Sequence, residues 1–175
     1  MPDLRQRLEH SLRGRVCFLG VGNLAYGDDG FGVRLAEKLV AEGVPEVIIA
    51  GTTPDRWIGQ AADFDHIVFL DVVEFGGEPG SVIFLDSAQI ASRFPQISTH
   101  KISLGLLAQW AESNGTTKAW LLGVQPESLE STPQLTPQLK KSLQLLLDLL
   151  TGHVGTAARG CPAEPKPGSE LEVNA

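Results

Sequence analysis

Five short runs in this chain are apolar at nearly every position rather than at every second one: residues 16–19, 47–50, 67–70, 81–85 and 119–122. A strand with one wet face alternates, whereas a strand without a polar face has to be covered on both sides. Helical periods separate these runs. Val33, Ala36, Leu39 and Val40 share one face of a helix over 32–41, and a second helix is expected near 56–62. A third spans 100–112, with Ile102, Leu106, Ala108 and Trp110 among its apolar positions. A fourth spans 137–150, with Pro137 in the first turn and Thr136 as its cap. Strands of this kind alternating with helices predict an α/β domain: a mostly parallel sheet with helices on both faces. The short connection at 76–80 predicts one hairpin-like antiparallel pairing.

The ends differ from this pattern. Leu4, Leu8 and Leu12 recur at helical spacing before Gly14, so residues 1–14 read as an N-terminal amphipathic helix. The α/β domain then occupies 15–152. Gly, Pro, Ala and Glu dominate 153–175, which reads as a disordered tail.

Composition excludes several functions. The formal net charge is −7, which argues against a general nucleic-acid binder, since phosphates require cationic surface. No run approaches the ~18 apolar residues of a membrane span. Residues 1–15 are charged throughout and lack a signal-peptide layout, so a cytoplasmic protein is expected. Cys17 lies in an apolar run and Cys161 among Gly and Pro, giving neither a disulfide framework nor a zinc spacing.

The loop after the first strand, Gly20-Val-Gly-Asn-Leu-Ala-Tyr-Gly-Asp-Asp-Gly-Phe-Gly32, is the candidate site. Gly20, Gly22 and Ala25 fit the spacing of a dinucleotide fingerprint. Against it, Leu24 to Gly30 delay the helix, Asp28 and Asp29 would face a pyrophosphate, and the second strand ends without an acid for a ribose. Helix capping accounts for one of the two acids but not for both. In an open parallel sheet, ligands bind beyond the carboxyl ends of strands where the strand order reverses. The first and third strands are often neighbours there, which would set Asp29 beside Asp71, at the end of the third strand. His100 follows Ser98-Thr99, a capping signal, and a helix start keeps an imidazole neutral. Two carboxylates and an imidazole suit a divalent ion such as nickel or zinc. The competing reading is two unrelated surface acids and a capping histidine. His10, His66 and His153 read as ordinary, and Trp57, Trp110 and Trp120 as packing residues.

Phe18-Leu-Gly-Val-Gly-Asn23 followed by Gly27-Asp-Asp-Gly-Phe-Gly-Val-Arg34 resembles the opening motif of the hydrogenase maturation endopeptidases. The resemblance continues through Ala50-Gly-Thr52, Asp71, Ser98-Thr-His-Lys-Ile-Ser-Leu104 and Leu122-Gly-Val-Gln-Pro-Glu127, and covers about residues 15–150 in order. The Gly-x-Gln-Pro element with Thr136-Pro137 is most similar to the hydrogenase-3-type branch. The resemblance implies a three-layer α/β sandwich around a twisted five-stranded sheet. It implies an endopeptidase that removes a C-terminal peptide from the [NiFe]-hydrogenase large-subunit precursor after nickel insertion. The metal ligands then fall on Asp29, Asp71 and His100, with nickel carried by the substrate and zinc able to occupy the same site. Asp29 and Asp71 are the candidate catalytic residues. Asn23, Gly51 and Thr52 are candidates for the substrate cleft, and a monomer is expected. One departure is Ile49, which stands where the family often has an acid. Whether the metal, a water or an aspartate acting as general base performs the chemistry stays open at this level. No His-Glu-x-x-His or Gly-x-Ser-x-Gly motif is present. A non-catalytic nickel checkpoint protein using the same three residues is the rival, and dinucleotide binding a more distant one.

Overall fold

Each apolar run forms a strand of one sheet in the structure, a computed structural model that describes residues 3–95 and 103–157. The strands are β1 (Val16–Val21), β2 (Val47–Gly51), β3 (His66–Val72), β4 (Val82–Asp86) and β5 (Lys118–Val124), in the spatial order β2-β1-β3-β5-β4. β1 runs parallel to β2 and β3, and β3 runs parallel to β5. The expected antiparallel strand is β4, but its partner is β5 rather than β3, so the connection at 76–80 is not a hairpin. The cause is long-range. β5 pairs with β3 from His66↔Lys118 to Val72↔Val124 and fills the place a hairpin strand would take.

Helices cover both faces: α1 (Leu4–Ser11), α2 (Phe31–Ala41), α3 (Ile58–Ala61), α4 (Ser87–Arg93), α5 (Leu104–Glu112) and α6 (Pro137–Ala157). On one side Phe18, Val68, Leu70, Phe84 and Leu122 of the strands pack with Leu8, Leu35, Leu39, Leu139 and Leu146 of α1, α2 and α6. On the other, Cys17, Leu19, Ile67, Phe69 and Leu121 pack with Ile58, Ile90, Leu107 and Ala111 of α3, α4 and α5. Successive residues of one strand therefore serve opposite cores, which is why the runs are apolar throughout. By the same alternation Asp71 belongs to the side covered by α3, α4 and α5. Leu8 and Leu12 are buried, so α1 is part of a helix layer.

Three details depart from the pattern read in the sequence. α4 is an added helix, started by Asp86, whose carboxylate accepts the Gln89 N–H while the Gln89 side chain accepts the Asp86 N–H. α6 continues to Ala157, so its last turns lie in the segment read as tail. α5 begins at Leu104 with the non-helical Ser103 at its cap position, so the helix expected over 100–112 starts later and His100 precedes it in the chain. Trp120 stacks on Phe84 at 5.0 Å and donates its indole N–H to His66 Nδ1, in keeping with the packing role expected of it. No helix among the described residues is long and apolar enough to cross a membrane.

Candidate active site

The loop between β1 and α2 is shaped by glycines that approach their own backbone. Gly22 has φ +139°, and a Cβ there would lie 1.9 Å from the Asp29 carbonyl oxygen. A Cβ on Gly32 would lie 1.9 Å from the Leu70 oxygen and 2.4 Å from the Val21 oxygen. The start of α2 is thus seated on the carboxyl ends of β1 and β3, and it carries the 3-10 turn Gly27–Gly30 to the crevice between them.

The loop amides are engaged within the protein. Gly22 N–H donates to the Gly51 carbonyl, Tyr26 N–H to Asn23, Gly27 N–H to Thr132, Asp28 N–H to Ser128 and Asp29 N–H to Tyr26. Asn23 N–H is shared between the carbonyl of Asp29 at 3.2 Å and its carboxylate Oδ2 at 3.0 Å. Ala25 N–H donates to the Asn23 side chain. A pyrophosphate would need such amides pointing outward. The glycine spacing therefore reflects chain packing, and the dinucleotide reading has no geometry to support it.

The two adjacent acids do different work. Asp28 is fully buried and accepts four hydrogen bonds. Its Oδ2 takes Glu127 N–H (2.9 Å), Ser128 N–H (3.0 Å) and the Thr136 hydroxyl (3.0 Å), and its Oδ1 takes Thr136 N–H (2.8 Å). It ties the loop to the segment joining β5 to α6. Thr136 stands where a cap was expected, with its carbonyl accepting Lys140 N–H, but its hydroxyl serves Asp28. Asp29 is only half-buried and faces the Asn23 amide at the mouth of the crevice.

Asp71 lies near the end of β3, is 3% exposed, and accepts the Val72 N–H on Oδ1 at 2.8 Å. β1 and β3 are hydrogen-bonded neighbours; Asp71 lies on β3 and Asp29 on the turn Gly27–Gly30 that follows β1. The third candidate ligand, His100, lies outside the described residues. Among the described residues no three His, Cys, Asp or Glu side chains are grouped to hold a metal ion. Asn23, Gly51 and Thr52 sit on the same rim. The β1–β2 register shifts after Gly20, so Val21 pairs with Gly51, whose φ is +58°. Thr52 beyond it is exposed.

Gln125 is a residue whose role the sequence did not disclose. Its side-chain oxygen accepts the N–H groups of Phe75, Gly76 and Gly77 at 2.9, 3.1 and 3.3 Å, holding the connection that follows Asp71. The available signal was its place in the Gly123-Val-Gln-Pro126 element.

A mostly parallel sheet, with Asp71 on β3 and Asp29 on the turn after β1 where the strand order reverses, has the ligand-site topology of open α/β sheets, beside a loop whose amides are engaged within the protein. A family model described as HycI, hydrogenase maturation protease, matches residues 33–153. The chain is 30% identical to the hydrogenase 2 maturation protease of Escherichia coli K12, over 77% of this chain and 87% of that protein. It is 31% identical to the hydrogenase 3 maturation protease of the same organism, over 78% and 89%. The crystal structure of the [NiFe] hydrogenase maturation protease HycI from Thermococcus kodakarensis superposes with a TM-score of 0.75 at 30% identity, covering 85% of this chain and 99% of that one. The chain belongs to the hydrogenase maturation protease family. It is accordingly a hydrolase of the endopeptidase type acting in protein processing, with the three-layer α/β fold of its relatives.

Proposed function

We propose that the protein removes the C-terminal peptide from a [NiFe]-hydrogenase large-subunit precursor once nickel has been inserted. Asp29, Asp71 and His100 engage the nickel that the precursor carries. The observation supporting this reading most is the sheet edge itself: one carboxylate on β3 and one on the turn that follows the neighbouring β1, with the loop amides turned inward. Such an edge attracts a cation and repels an anion. Oxygen donors with an imidazole fit nickel or zinc, so zinc would compete at the site. The nickel reports that the precursor is finished, and docking on it sets the scissile bond against the rim formed by Asn23, Gly51 and Thr52. Positioning of this kind lowers a barrier by about 7–11 kcal/mol in favourable systems.

A second reading has one aspartate as general base for the attacking water, in the manner of an aspartyl protease. The half-exposure of Asp29, against the burial of Asp71, favours Asp29 for that task. In a cleavage assay on nickel-loaded precursor, Asp29→Asn and Asp71→Asn should each lower the rate by at least about 100-fold with the fold retained. His100→Ala should also impair processing. Wild-type rates in the two aspartate variants would overturn the assignment.

A further inference from the structure

Beside the processing edge, α2 and α6 form the walls of an open groove of about 560 Å³. Its floor is apolar, with Leu135 and Leu143 buried beneath it. Its rim carries Arg34, Lys38 and Lys140, with Glu37 as the one acid among its lining residues. Three cations gathered in one groove stand out on a chain of net charge −7. None of the three is in an ion pair among the described residues, where Arg15–Glu46 is the one bridge present. Arg34 is anchored by donating one terminal N–H to the Pro133 carbonyl, while its Nε is buried without a hydrogen-bond partner. A buried guanidinium nitrogen left without an acceptor costs free energy that an incoming carboxylate would recover.

We propose that this groove is a docking site for an acidic segment of the hydrogenase precursor, separate from the edge where cleavage occurs. The inference rests on the function proposed above. A carboxylate side chain of the segment pairs with Arg34, its neighbours face Lys38 and Lys140, and an interposed apolar side chain rests on Leu135 and Leu143. Position supports a joint use of groove and edge. Lys38 lies on the same helix that begins just after Asp29, roughly 13 Å along at 1.5 Å per residue. An extended chain crosses that span with about four residues. Arg34 also holds the segment containing Pro133, which leads into Thr136 and hence to Asp28, so the groove and the loop share one support.

The test is a double charge reversal, Lys38→Glu with Lys140→Glu, in the full chain. Both side chains are exposed and neither is part of the proposed catalytic edge. Precursor cleavage should show KM raised about tenfold at low salt with kcat unchanged, and the difference should shrink toward unity near 0.5 M salt. An unchanged KM beside a cleaving wild type overturns the docking site and leaves the proposed function standing. If wild type fails to cleave the precursor, the function has failed, and the groove is then judged by direct binding. A fluorescent peptide alternating Glu and Leu should bind the wild type and lose about tenfold in affinity with the double reversal. Equal affinity of both proteins for it overturns the groove. So does binding that develops only after Glu164, Glu170 and Glu172 are changed to Gln, because the occupant would then be the chain's own C-terminal segment.

Discussion

Replacing Asp28 by Asn tests the division of labour between the two adjacent acids. The carboxylate accepts four bonds in a fully buried position. An amide in its place has one oxygen and one NH2. With the oxygen at the Oδ2 position it keeps Glu127 N–H, Ser128 N–H and the Thr136 hydroxyl, but its NH2 then faces Thr136 N–H, donor against donor. The opposite flip sets the NH2 against two backbone N–H groups and is worse. The better arrangement loses one charge-assisted bond outright, leaves one donor unsatisfied and weakens three others, which together cost about 2–4 kcal/mol. Asp28→Ala removes all four acceptors and should cost more, about 3–5 kcal/mol. Asp29→Asn is the contrast. Its side-chain oxygen can still accept Asn23 N–H at the half-exposed mouth, so the loss should stay below about 1 kcal/mol. Urea unfolding followed by circular dichroism reads these differences as shifts of the midpoint at constant slope. Asp28→Asn within about 0.5 kcal/mol of wild type, or a larger loss for Asp29→Asn, would refute the assignment of Asp28 as the structural acid.

Other positions make independent predictions. Gly32→Ala places a methyl 1.9 Å from the Leu70 oxygen, so α2 must lift from the strand ends, and a loss of about 3 kcal/mol with impaired cleavage is expected in the same unfolding and processing assays. Gln125→Ala leaves the N–H groups of Phe75, Gly76 and Gly77 without their common acceptor, and hydrogen exchange should speed at those three amides with little change in global stability. Burial, with the charge of Glu46 adding to it, pushes the Cys17 thiol from 9.0 up to about 12. In a Cys161→Ser background the native protein should therefore resist a thiol reagent near about pH 8 and react once unfolded. The folded-state value lies above the unfolded one, so this contribution to stability is intact below pH 9.0 and is lost as pH rises toward about 12. Comparison with Cys17→Ala across that interval should show a steeper fall of stability in the wild type, and equal slopes would contradict the shift.

The strands and both helix layers could be read from the chain because a strand buried on two faces leaves an unambiguous apolar run. The adjacency of β1 and β3, from which Asp29 and Asp71 were expected on one crevice, followed from the same reasoning, since the two strands are neighbours at the reversal of strand order. Other features depend on distant partners. Whether β4 pairs with β3 or β5 is decided by the insertion of β5, a contact to which local glycine spacing is blind. α4 escaped notice because Ile90 is its one buried residue, leaving no apolar period to detect. Asp28 and Asp29 are chemically identical in sequence. What separates them is the segment 127–136, roughly a hundred residues away in the chain, which closes over Asp28 and leaves Asp29 at the mouth. His100, read from its capping context and family resemblance, lies outside the described residues and is assigned from sequence alone.

The most direct test of the processing edge uses one precursor in two states. Large-subunit precursor with and without inserted nickel is incubated with the purified protein, and the intact mass of each product is measured. Nickel recognition at the edge predicts loss of a C-terminal peptide from the nickel-loaded form alone, abolished by Asp29→Asn. Equal cleavage of both forms would contradict nickel recognition by Asp29, Asp71 and His100. An unchanged mass for the loaded form would contradict the proposed substrate itself.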